Sequence, residues 1–79
     1  MKDTLLYILS AIVDNPKKVS IDEQEQEGIV QFTITVSKED MGKVIGKEGR
    51  VIRSIRNIMK IPAMKENKRI MISLSENPQ

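Results

Sequence analysis

Two glycines three residues apart, Gly46 and Gly49, join two stretches that each read as an amphipathic helix, and no other feature constrains the chain as much. Before the junction, Met41, Val44 and Ile45 share one face of a short helix. After it, Val51, Ile52, Ile55, Ile58 and Met59 recur at about 100° per residue. Gly46 ends the first helix and Gly49 permits a second sharp turn. Two helices meeting through Gly46-Lys47-Glu48-Gly49 place two positions free of side chains at the bend.

The flanking sequence supplies the rest of the fold. Leu5, Leu6, Ile8, Leu9, Ile12 and Val13 have helical spacing, so residues 4–14 read as an amphipathic helix that Asn15-Pro16 stops. Val19 and Ile21 open a polar strand running through Glu23 to Glu27, and Gly28 makes a turn. Val30, Phe32, Ile34 and Val36 alternate with Gln31, Thr33 and Thr35, the pattern of a half-buried strand. Ser37 with Asp40 three residues on has the form of a capping box that opens the first of the two joined helices. Pro62 is expected to end or kink the second. Ile70, Ile72 and Leu74 alternate in a last strand, and a polar tail follows from about residue 75. The expectation is one domain over residues 1–79: α+β, two layers, order α-β-β-α-α-β, a three-stranded sheet packed on three helices.

Composition narrows the chemistry. The chain has no cysteine and no histidine, which removes disulfides, thiolate catalysis, histidine acid–base catalysis and ordinary zinc ligation. No metal, cofactor or small-molecule substrate is expected, and no enzymatic activity. The acids Asp22, Glu23, Glu25 and Glu27 fall on both faces of a polar strand and read as solvated charge. No apolar run approaches the ~20 residues of a membrane span. An acid at Asp3 and helically spaced apolar residues after it argue against a signal peptide, so the expected location is cytoplasmic.

Net charge is only +2, but it is unevenly placed. Residues 1–37 carry three lysines against six acids, whereas residues 38–60 carry seven basic residues against three acids. Arg50, Arg53, Arg56, Asn57 and Lys60 fall opposite the apolar face of the second joined helix. A basic middle on a mildly acidic body implies an anionic partner met by one face.

The bare Gly46–Gly49 bend gives that face its chemistry. A sugar–phosphate backbone can approach main chain closely there, and amides at a helix start favour phosphate oxygens. Lys47 and Arg50 add charge-assisted contacts. Glu48 repels phosphate and weakens the clamp. Phosphate loops of nucleotide-binding enzymes do not fit: Gly42 to Gly46-Lys47 is one residue short of a Walker A spacing, Glu48 stands in place of its Ser/Thr, and Val44 occupies the first glycine of a dinucleotide fingerprint. Aromatic content of 3% offers no stacking platform.

At Val44-Ile45-Gly46-Lys47-Glu48-Gly49-Arg50-Val51-Ile52-Arg53-Ser54-Ile55 the chain resembles the KH signature, Val-Ile-Gly-x-x-Gly followed by isoleucines at helical spacing. A helix before the first strand and no closing helix after the last resemble the type II arrangement. The whole length, with Val13-Asp14-Asn15-Pro16 and the run from Gly42 to Lys47, is similar to the KhpA-type family of small, single-KH bacterial proteins. The resemblance implies a non-catalytic protein that binds single-stranded RNA with low specificity, as an RNA chaperone or post-transcriptional regulator. It implies contacts from Lys43, Ile45, Gly46, Lys47, Glu48, Gly49, Arg50, Ile52, Arg53 and Arg56. It also implies self-association as a homodimer and a heteromer with a larger, multidomain KH protein of the KhpB (Jag) type. A second reading stays open on these residues: a protein–protein adaptor on the same scaffold, favoured by Glu48 and the modest charge, opposed by Lys47, Arg50 and Arg53.

Ile61, Pro62, Ala63 and Met64 form an apolar cluster. Continuing the helical phase through Lys60 puts Ile61 on the arginine-bearing side, as a dimer contact would require. If Pro62 breaks the phase, the cluster is instead a loop tucked against the sheet.

Overall fold

The structure, a computed structural model, describes residues 1–76. Its elements are α1 (Lys2–Ile12), β1 (Ser20–Gln26), β2 (Ile29–Val36), α2 (Lys38–Ile45), α3 (Arg50–Lys65) and β3 (Arg69–Glu76), with single 3-10 turns at Pro16–Lys18 and Lys47–Gly49. The order α-β-β-α-α-β is the expected one, and the domain is a three-stranded sheet backed by three helices.

β1 and β2 pair antiparallel across a two-residue turn, Glu27-Gly28, in which both residues have positive φ (54° and 79°). Such a turn matches the right-handed twist of the strands it joins. β2 and β3 pair parallel, so the α2–α3 unit is the crossover that parallel pairing demands. The register sets Val30, Phe32 and Ile34 of β2 beside Ile70, Ile72 and Leu74 of β3, and Ile21 beside Ile34. These side chains share the helix-covered face, where Leu5, Leu9, Val44, Ile52, Ile55 and Met59 meet them. Fully buried Phe32, Leu5 and Leu9 each contribute about 2 kcal/mol through area removed from water. The other face has no helix on it and is largely uncharged; Gln31 donates to the Ser73 hydroxyl across it at 2.9 Å. No helix among the described residues is long and apolar enough to cross a membrane.

Several expectations are corrected. α1 starts at Lys2 and ends at Ile12, because the chain turns extended at Val13 (ψ 156°) and the amides of Asp14 and Asn15 are taken by Asp40 rather than by helix carbonyls. Leu6 and Ile58 fall on the edges of their apolar stripes and are 40% and 44% exposed. Pro62 does not end α3, which continues to Lys65. The stretch from Ile61 to Met64 is therefore helical, not a tucked loop: Ala63 is buried in the core, while Ile61 and Met64 are 58% and 74% exposed. Ser75 and Glu76, expected in the polar tail, belong to β3, and the rest of that expected tail lies outside the described residues.

Ser37 and Asp40 do not form a capping box. The Ser37 hydroxyl caps no main-chain amide of α2; it accepts from the Asn15 side-chain amide at 3.4 Å and donates to the Asp40 carboxylate at 3.0 Å, and the Asp40 amide donates to the Ser37 carbonyl at 3.0 Å. Asp40 turns inward, 1% exposed, and accepts from Asp14 N–H at 3.0 Å and Asn15 N–H at 2.9 Å. A buried carboxylate thus ties the end of α1 to α2. These main-chain donors, the Asp14 amide first, outweigh the opposing effect of burial and hold the acid at about 2, below its ordinary 3.8.

Candidate nucleic-acid interface

The bend between α2 and α3 is built by reversal of backbone hand. Gly46 N–H closes α2 onto the Gly42 carbonyl at 2.8 Å, and Gly46 itself sits at φ 76°, ψ 176°, a region essentially reserved for glycine. Glu48 (φ 55°, ψ 27°) and Gly49 (φ 73°, ψ 17°) are left-handed as well, before Arg50 enters the right-handed helix at φ −66°, ψ −38°. Lys47 keeps a negative φ. The change of hand from Lys47 to Glu48 is the arrangement in which successive main-chain N–H groups form an anion-binding concavity. Glu48 holds its conformation without glycine's freedom, at a cost on the order of 1 kcal/mol. Two amides at the start of α3, where phosphate oxygens are expected, are used inside the bend: Gly49 N–H reaches the Gly46 carbonyl at 3.2 Å, and Arg50 N–H reaches that of Lys47.

The ten expected contact residues divide into groups. Lys47, Glu48 and Arg50 are exposed at the bend, and Arg53 lies one turn further along α3; none of the four enters an ion pair among the described residues. Gly46 and Gly49 lie between them. Ile45 is 37% exposed and adjoins the bend, whereas Ile52 is 7% exposed and belongs to the core rather than to an open groove. Arg56 turns toward the sheet and donates to the Ile72 carbonyl on the outer edge of β3 at 3.5 Å, beside a groove of about 240 Å³ lined by Lys60, Ile70 and Met71. Lys43 is engaged by the Asp14 carboxylate; that hydrogen bond raises its pKa, against partial desolvation. Sequence reasoning missed Asp14 as this partner and Asp40 as the anchor behind it. The pairings span 29 and 26 residues, and no local pattern marks them.

The scaffold thus carries a basic, glycine-bent junction between α2 and α3. The family model described as KhpA/KhpB, KH domain, matches residues 2–74. This chain belongs to that family. The KhpA/KhpB family is one of KH binding domains, not of enzymes. Among relatives, the chain is 40% identical over 74 residues to the RNA-binding protein KhpA of Clostridium perfringens, covering 94% of this chain and 99% of that one. It is 39% identical over 77 residues to RNA-binding protein KhpA of Chlamydia caviae, covering 98% and 99%. The KhpA of Listeria monocytogenes is 37% identical over 76 residues, covering 96% and 100%. Full-length coverage on both sides makes the KhpA/KhpB likeness one of whole chains, not of a shared loop.

Proposed function

We propose that this chain binds single-stranded RNA with little sequence preference, gripping the sugar–phosphate backbone at Gly46–Gly49, and acts in the cytoplasm as an RNA chaperone or post-transcriptional regulator. The observation that carries the reading is the set of positive-φ residues Gly46, Glu48 and Gly49, flanked by Lys47, Arg50 and Arg53, which enter no ion pair among the described residues. Bare main chain admits a phosphodiester, and the cations neutralise it. KhpA relatives that carry the name RNA-binding protein support the same ligand.

Such a clamp covers about four nucleotides, and neutralising roughly three phosphates on a single strand gives a log–log salt slope near about −2. Substituting Lys47→Asp together with Glu48→Asp tests it. The far-ultraviolet circular dichroism is expected to be unchanged, since aspartate tolerates the left-handed region, and retention of RNA on a filter is expected to fall at least about tenfold, because the Lys47 phosphate contact is replaced by repulsion while the charge at position 48 stays negative. Retention equal to the parent's would reject the clamp and favour the adaptor reading.

The exposed side chains Ile58, Ile61 and Met64 follow one another at i, i+3 and i+6 on α3, and they support self-association through this helix. A homodimer doubles the clamps on one RNA and strengthens weak binding through effective concentration. The same stripe is the surface we assign to a larger KhpB-type partner. Ile61→Asp is expected to shift sedimentation equilibrium of the purified protein to monomer without lowering its melting temperature by more than a few degrees; an unchanged association state would remove this surface from the proposal.

A further inference from the structure

We propose that Asp14 serves as an internal stand-in for phosphate, occupying Lys43 in the free protein and yielding it to RNA on binding. This rests on the clamp proposed above and adds to it a residue that sets the clamp's strength.

The placement of Asp14 is built rather than incidental. Its amide is held by Asp40 Oδ1 at 3.0 Å and the next amide, of Asn15, by Oδ2 at 2.9 Å; the Asn15 side chain adds a bond at 3.2 Å. Asp40 is buried and stays ionised throughout the physiological range, so this anchor does not loosen with pH. With α1 ended at Ile12 and Val13 extended, the Asp14 side chain leaves α1 and meets Lys43 Nζ on α2. Lys43 lies three residues before Gly46, within one helical turn of the bend.

The pairing is also made to be exchanged. Lys43 and Asp14 side chains are 44% and 74% exposed, and ion pairs this open are weak enough for a competing anion to displace. A phosphodiester offers Lys43 what the carboxylate offers, a single negative charge spread over oxygen acceptors. Among the described residues Lys47, Arg50 and Arg53 form no such pair, and there Lys43 alone of the cations around the bend is held back by an acid from another element. RNA must therefore displace Asp14 to use Lys43, and the clamp binds more weakly than its cations alone would allow.

Affinity for a short mixed-sequence oligoribonucleotide, followed by fluorescence anisotropy at low salt, tests this through a double-mutant cycle. Asp14→Asn keeps the amide that Asp40 holds, and Asp14→Ser serves if the asparagine variant melts early. In the parent background either substitution is expected to tighten binding about two- to fivefold, the range of an exposed ion pair. With Lys43→Gln in place, the same substitution is expected to give no more than the gain from removing a distant acid, Asp3→Asn. Equal gains with and without Lys43, or no gain in the parent, would overturn the proposal. The clamp reading fails separately: the Lys47→Asp, Glu48→Asp protein would then hold RNA as well as the parent, whatever Asp14 does.

Discussion

Alanine at Gly46 will cost this domain roughly 2–4 kcal/mol, enough to lower its melting temperature by more than about 10 °C. Two terms add. The backbone at φ 76°, ψ 176° is one that side chains avoid. An added Cβ would also lie 2.3 Å from Val51 Cγ2, 2.8 Å from Val51 Cβ and 2.9 Å from Val51 N. The amide nitrogen belongs to the first turn of α3 and cannot yield without moving the helix. Gly49 differs: its φ of 73° is left-handed, but a Cβ there meets nothing within 4 Å. Gly49→Ala should therefore cost only about 1 kcal/mol, and any loss of RNA binding in that variant reports on the ligand rather than the fold. Thermal melts of the two single variants check the contrast. Equal melting temperatures would show that the close packing of Gly46 on Val51 is not what holds α2 against α3.

The second large effect is expected at Asp40. Asp40→Ala leaves the Asp14 and Asn15 amides and the Ser37 hydroxyl without their acceptor and unties α1 from α2. Part-buried donors left unpaired are among the more costly changes a small domain can suffer, and a drop of about 10 °C or more is expected. The pH dependence carries a sign. Folding depresses this acid from 3.8 to about 2, so its contribution is complete above about pH 4 and fades as pH falls toward 2. Melting curves between pH 5 and 2 should show the parent losing stability across that window. Asp40→Asn, less stable at neutral pH, should lack that component of the decline. Parallel curves for the two proteins would mean the carboxylate's charge is not what the amides hold.

Much of the fold was legible because its signals are local. Alternation from Val30 to Val36 and from Ile70 to Leu74 settles which face of each strand is buried, and Gly46 and Gly49 mark where the chain must bend. Stripe edges were less legible: three helices share one small sheet face, so α1 and α3 bury narrower stripes than their sequences offer, and Leu6 and Ile58 remain outside. Pro62 does not stop α3, because its missing N–H removes only one hydrogen bond and Ala63, buried in the core, keeps the last turn in phase. A capping box and an inward-facing carboxylate look alike over four residues; what separates them at Asp40 is a pair of amides 26 and 25 residues away. For the same reason nothing local marks Asp14 as the partner of Lys43. Lys47 and Arg50 adjoin the bend by sequence alone, and Arg53 follows one turn along α3.

The clamp stands or falls on where RNA touches the chain. Amide-resolved NMR titration of the parent protein with mixed-sequence oligoribonucleotides at low salt measures this directly. Residues 44–53 should shift first and furthest, with Lys43 following as Asp14 releases it. Shifts confined to the helix-free face of the sheet, with those residues unmoved, would contradict the account.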